Sequence, residues 1–280
     1  MGAPAETIFV TGGTGFIGWH VLKQARAMGR RVRALRRPGS VHADVRIDGV
    51  EWLEREMGEV REEEVAGCGV LVHLAAAGVD PTRATWEGCF QTNVVDSLAL
   101  WRKAVRSGIR RLIVCGSCFE YGTSGERYEF IPVTAPLEPT GSYGASKAAA
   151  TMAAVGLIQE AGIEGIILRP FHVFGEGEAA HRFWPSLRSA AEEGKDFPMT
   201  AGMQVRDFVP VERVAESFLA ACDEPLTVGK PVVRNVGTGR AQTLLDFARY
   251  WWKEFGAKGT LRPGAVPYRE GEVMRYVPEV

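Results

Sequence analysis

Tyr143 and Lys147 stand four residues apart in Y-G-A-S-K, at the head of a stretch with helical character. Residues four apart share a helix face, so the phenol and the ammonium meet there. A phenol titrating near pH 10 is a poor acid–base group at neutral pH. A neighbouring ammonium stabilises the phenolate and lowers that value. Bringing Tyr143 near pH 7 takes roughly 4 kcal/mol, at about 1.36 kcal/mol per unit. Ser117, just past the strand-like run Arg111–Val114, offers a hydroxyl for the same substrate oxygen. The three side chains suit proton transfer at an alcohol or carbonyl oxygen. The spacing alone is common by chance; its place in the order of elements makes it informative.

A second motif lies near the start. Thr11 to Gly18 reads T-G-G-T-G-F-I-G, directly after a strand-like run and opening a helix. Gly13, Gly15 and Gly18 fit G-x-G-x-x-G, and Gly12, Gly15 and Gly18 fit G-x-x-G-x-x-G. Glycines here permit the tight turn and a close backbone approach to a pyrophosphate. The helix N-terminus then offers free N–H groups to the phosphates. In this strand–loop–helix setting the pattern points to a dinucleotide.

The end of the second strand discriminates between dinucleotides. A carboxylate about 20 residues on suits the 2′-hydroxyl of NAD. Between Glu6 and Asp44 the chain has no acidic residue, and Leu35 is followed by Arg36 and Arg37. A guanidinium can hold a 2′-phosphate, so NADP(H) is favoured over NAD(H).

Other reactive types carry less. The five cysteines are odd in number and scattered, which fits a reducing compartment. Cys115 and Cys118 form C-x-x-C, which reads as a buried strand end. His20, His42, His73, His172 and His181 have no metal-ligand spacing, so no metal is expected. Trp251 and Trp252 read as packing.

Positioning these groups requires a framework. Strand-like runs at 7–10, 31–35, 70–74, 111–114 and 163–168 alternate with helical patterns at about 16–28, 82–107 and 142–161. This is the signature of an α/β fold, a Rossmann-type doubly wound parallel sheet covered on both faces. Its ligands bind at the carboxyl ends of the strands, where each motif lies. After about Gly175 the pattern loosens: helices at about 181–193, 211–222 and 243–255, and extended pieces at 204–209 and 232–236. The expected organisation is a dinucleotide-binding domain over 1–175 and a smaller substrate-binding lobe over 176–280, whose strands can interleave with the first.

Composition narrows the partners. With 33 basic and 34 acidic residues the net charge is −1, which argues against nucleic acid or an anionic membrane as partner. Met1–Glu6 lacks a basic n-region and Ile8–Val10 is too short for a signal or span, so a cytoplasmic protein is expected.

The chain resembles the extended short-chain dehydrogenase/reductases, the nucleotide-sugar epimerase/dehydratase group. The resemblance rests on T-G-G-T-G-F-I-G at 11–18, H-L-A-A-A-G at 73–78, Asn93 in Q-T-N-V, C-G-S-C-F-E-Y-G at 115–122, Y-G-A-S-K at 143–147, L-R-P-F-H-V-F-G at 168–175 and V-R-D-F-V at 205–209. These pieces run over most of the chain in family order. The resemblance implies Ser117, Tyr143 and Lys147 as the catalytic set, with Tyr143 as acid–base and Lys147 on the nicotinamide ribose. It implies cofactor contacts from Gly12, Gly15, Phe16, Ile17, Gly18, Leu74, Ala75, Ala76, Pro170 and Val173, with Asn93 in support. It implies substrate contacts from Ser117, Cys118, Phe119, Phe171 and His172. Arg206 resembles an arginine that grips a substrate diphosphate, and Arg269 in P-Y-R-E-G-E a second. A homodimer paired through the helices at 82–107 and 142–161 is also implied.

The same set can reduce a ketone, epimerise through one, or dehydrate. Dehydratases of the group resemble each other in acidic residues right after the Ser/Thr. Here Cys118 and Phe119 stand there and Glu120 comes third, so elimination lacks its acid and base. Arg36 and Arg37 fit an exchanging NADPH better than a retained NAD. The motifs look most like reductases of nucleotide-linked 4-keto-6-deoxyhexoses. A 4-epimerase using bound NAD(P) is the alternative, and a non-catalytic NADP sensor a further one.

Overall fold

The computed structural model describes residues 6–39, 47–269 and 271–280. Met1–Ala5, His42, Asp44 and Glu270, which the sequence reading touches, lie outside them. The first half builds most of one sheet. Strand β1 (Thr7–Thr11) leads through the glycine loop to α1 (Phe16–Ala27), then β2 (Val32–Arg36) and β3 (Val50–Glu54). A short α2 (Glu62–Val65) precedes β4 (Cys68–His73). Next come α3 (Trp86–Phe90), a π turn (Gln91–Asp96) and α4 (Ser97–Arg106), followed by β5 (Arg111–Cys115), α5 (Gly141–Ala161) and β6 (Glu164–Pro170).

The remaining elements are shorter. They are β7 (His172–Phe174), α6 (Phe183–Glu192), β8 (Phe197–Met199), β9 (Val205–Arg206), β10 (Phe208–Pro210) and α7 (Val211–Ala220). After them come β11 (Val232–Val236), β12 (Gln242–Thr243), α8 (Leu244–Glu254), β13 (Leu261–Pro263) and β14 (Arg275–Tyr276). The main sheet has seven parallel strands in the order β11-β6-β5-β4-β1-β2-β3. Its edge strand β11 comes from the second half of the chain. The order reverses between β1 and β4, which opens the crevice where such sheets take ligands.

Strand alternation explains the two-sided core. Ile8 and Val10 face one side with Val21 and Leu22 of α1 and Phe218 of α7. Phe9 faces the other with Leu100 and Trp101 of α4 and Ile158 of α5. Each such side chain contributes about 1.5–3 kcal/mol by leaving water. A smaller cluster around Leu187, Met199 and Ala248 packs α6 against α8.

Three sequence expectations change. The helix expected over 82–107 starts at Trp86, because Thr85 Oγ1 caps it by accepting the Gly88 N–H at 3.1 Å. It is interrupted by the π turn, where Ser97 Oγ donates to the Thr92 carbonyl at 2.8 Å. Strand β3 is an addition: V-E-W-L-E is half polar because it is an edge strand with exposed positions. The extended piece at 204–209 is two strands, β9 and β10, in different small sheets.

Candidate active site

The glycine loop is built for close approach. Gly12 has φ +69, and a Cβ there would stand 2.6 Å from the Ala75 nitrogen. A Cβ on Gly18 would stand 2.0 Å from the Gly12 carbonyl oxygen. Gly15 heads α1 with no side-chain cap and no acidic residue in the first turn. The first N–H groups of α1, on Phe16 and Ile17, therefore meet no competing carboxylate, and the cradle fits a dinucleotide pyrophosphate.

Thr11 ties this loop to β4. Its Oγ1 accepts the N–H groups of Leu74 and Ala75, each at 3.2 Å, and donates to His73 Nδ1 at 3.0 Å. His73 Nε2 then donates to Ser97 Oγ at 3.0 Å. Burial, then the Lys147 charge, pushes His73 down to about 3, so the ring is neutral. Leu74, Ala75 and Ala76 lie half-buried at the end of β4. Asn93, buried in the π turn, accepts the Ala77 N–H at 2.7 Å and donates to the Ala77 carbonyl at 3.0 Å and Ser146 Oγ at 2.9 Å. Its amide thus holds the β4 loop to α5.

Ser117 follows β5 and is buried. Its Oγ accepts the Phe119 N–H at 3.2 Å. Tyr143, half-buried on the first turn of α5, meets it: burial pushes the Tyr143 pKa up, Cys115 adds to this, and a hydrogen bond with Ser117 opposes it. The net direction is thus upward, where the sequence expectation has Lys147 lowering this value. Lys147 is buried, and its Nζ donates to the Cys115 carbonyl oxygen. The Cys118 thiol is pushed up to about 12 by burial, which fits a packed strand end.

An aromatic wall faces Tyr143. The half-exposed Phe119 ring lies 6.1 Å from Tyr143 and 6.3 Å from His172. His172 is pushed down to about 3, by burial first and Arg206 second. Val173 is half-buried on β7 and Pro170 ends β6. Phe171 is a correction. It is 3% exposed and packed between the Tyr121 and Tyr276 rings, which leaves it no face for a substrate.

The arginines divide. Arg206 is buried and pairs with Glu272 at 3.1 Å while donating to the Val205 and Val273 carbonyls. Arg269 is exposed on the stretch leading to Glu272. Arg36 ends β2 and pairs with Glu54 at 3.0 Å, and Arg37 is exposed beyond it. Among the described residues, no group of three or more His, Cys, Asp or Glu could hold a metal ion.

Sequence reasoning missed several supporting residues. Glu120 and Arg169 form a buried ion pair at 2.8 Å. A charged residue inside I-I-L-R-P was the available signal, since a buried charge requires a partner. Tyr276 reaches from β14 to donate to the Cys118 carbonyl at 2.9 Å. No pattern announced that contact.

The chain is similar to several known proteins. Residues 8–237 match the NAD dependent epimerase/dehydratase family. The UDP-glucose 4-epimerase of Neisseria meningitidis serogroup C is 27% identical, over 87% of this chain and 81% of that protein. The CDP-abequose synthase of Salmonella typhimurium is 24% identical, over 96% of this chain and 88% of that protein. The structure of MoeE5 in complex with UDP-glucuronic acid and NAD superposes with a TM-score of 0.83 at 26% identity, covering 98% of this chain and 90% of that one. The chain belongs to the NAD dependent epimerase/dehydratase family, enzymes of the extended short-chain dehydrogenase/reductase type.

Proposed function

We propose that this member of the epimerase/dehydratase family is an NADPH-dependent reductase of a nucleotide-linked 4-keto-6-deoxyhexose. The observation that carries the reading is the placement of Ser117, just past β5, and Tyr143, on the first turn of α5, beside the Phe119 ring that also reaches His172. A phenol is protonated at neutral pH and can give its proton to an alkoxide forming beside it, which is the proton demand of ketone reduction.

Tyr143 gives its proton to the C4 oxygen, and Ser117 donates a hydrogen bond to the same oxygen. Lys147 secures the end of β5 through the Cys115 carbonyl. Phe119 and His172 exclude water from the sugar face. Arg206 exchanges Glu272 for the diphosphate, for which its planar fork is suited. The glycine loop and Leu74–Ala76 hold the cofactor, with Arg36 and Arg37 at its 2′-phosphate. When bound, the reduced nicotinamide supplies the hydride for C4.

The 4-epimerase reading stays as a second one, favoured by the similarity to a UDP-glucose 4-epimerase and by the Glu54 carboxylate on Arg36. A non-catalytic NADP sensor is a third, and the intact Ser117, Tyr143 and Lys147 set weighs against it. We also infer a homodimer through α3–α4 and α5, which leave Trp86, Val95 and Met152 exposed. A monomer mass by light scattering overturns that.

The deciding experiment follows NADPH absorbance with a panel of nucleotide 4-keto-6-deoxyhexoses. Loss in step with sugar consumed establishes the reductase. Sugar isomerised with no loss establishes the epimerase. Binding with neither change supports the sensor.

A further inference from the structure

Glu120 and Arg169 bring a full charge pair into a region otherwise closed to water; Glu120 is 0% exposed and Arg169 3%. Arg169 Nε donates to Glu120 Oε2 at 2.8 Å. The other carboxylate oxygen, Oε1, accepts the backbone N–H of Ser117 at 2.8 Å. A Cβ on Gly116 would stand 2.6 Å from Oε1, so the turn leaves room for this oxygen. Arg169 also donates to the Tyr121 hydroxyl at 3.0 Å, which donates to Asn235 at 2.6 Å. Packed apolar side chains of similar volume often serve stability as well as such a pair. Stability alone therefore does not account for it.

We propose that Glu120 is a positioning residue for the reaction: its carboxylate, anchored by Arg169, fixes the turn that presents Ser117. The inference rests on the reading of Ser117 and Tyr143 given above. Burial pushes the Glu120 carboxyl up, and the Arg169 guanidinium, then the Lys147 ammonium, pull against that push.

Glu120→Gln keeps an acceptor for the Ser117 N–H and removes the charge; Glu120→Ala removes both. Either alone strands Arg169 as a buried, unpaired cation, so each is combined with Arg169→Met. Amide hydrogen exchange on the full chain needs no substrate. Exchange at Ser117 is expected to quicken about tenfold or more in the Ala double variant and stay parental in the Gln one. With a 4-keto sugar, kcat is expected to fall about tenfold or more in the Ala double variant and to be largely restored in the Gln one, with KM unchanged in both. Equal exchange in the two variants, or equal kcat, overturns the positioning. If the parent protein reduces no 4-keto sugar, the reaction reading fails while the exchange comparison still decides the role of Glu120 at Ser117.

Discussion

Arg36 lies directly across from Glu54 in the parallel register of β2 and β3, and its guanidinium meets that carboxylate at 3.0 Å. The same guanidinium lies over the Trp52 ring, 5.7 Å from its centroid. The acid absent from the end of β2 is thus supplied by the neighbouring strand. A half-exposed pair of this kind is worth about 0–1 kcal/mol, so a 2′-phosphate can displace it. Replacing Arg36 and Arg37 by Ala is expected to weaken NADPH binding about tenfold or more while changing NADH binding only a few-fold. Glu54→Gln is expected to strengthen NADPH binding by at most about fivefold. Nicotinamide fluorescence titration measures both. Equal losses for NADPH and NADH would remove the basis for NADP preference.

Tyr143→Phe is expected to lower the reduction rate by about 10²–10⁴, the range for a positioned acid. Sugar-nucleotide affinity is expected to hold, since only the hydroxyl is lost. Steady-state kinetics with equilibrium binding separate the two effects. Wild-type turnover in this variant would overturn the assignment of the proton donor.

The Arg206–Glu272 pair predicts a competition. Glu272→Gln removes the carboxylate from a buried guanidinium, so nucleoside diphosphate is expected to bind a few-fold tighter. Arg206→Met is expected to weaken the same ligand by about tenfold or more. Calorimetric titration with UDP reads both. Unchanged binding in both variants would place the diphosphate elsewhere.

The buried histidines predict acid sensitivity. His73 and His172 are pushed down to about 3, by burial first, whereas an unfolded chain takes up these protons near pH 6.5. Their contribution is therefore present above pH 6.5 and lost as pH falls toward 3. Glu178 runs the other way. Burial pushes it up to about 7, so its contribution is present below about pH 4.5 and lost as pH rises to 7. From pH 6.5 to 5 each group is worth about 2 kcal/mol, and two histidines against one glutamate leave a net loss of roughly 2 kcal/mol. Urea unfolding at the two pH values measures it. His172→Phe is expected to remove most of the difference, and an unaltered pH dependence would show that His172 titrates normally.

Local spacing made the essentials legible from sequence. The glycines at 12, 15 and 18 and the Tyr143–Lys147 interval each act within one turn of chain, where residue type and spacing already set the geometry. The alternating strand and helix patterns likewise announced a parallel sheet, because each buried strand must be apolar on both faces. Contacts across strands were not legible. Glu54 on Arg36, Glu272 on Arg206 and Arg169 on Glu120 each depend on a register or a chain return that no local pattern specifies. The burial of Phe171 and the π turn at Asn93 were settled by packing and by competing hydrogen bonds. The amino-acid order alone thus determined which chemical groups the protein carries and the ends of the strands that present them. Only the tertiary structure decided which charge neutralises which, because long-range pairing is chosen by the free energy of the whole packed core.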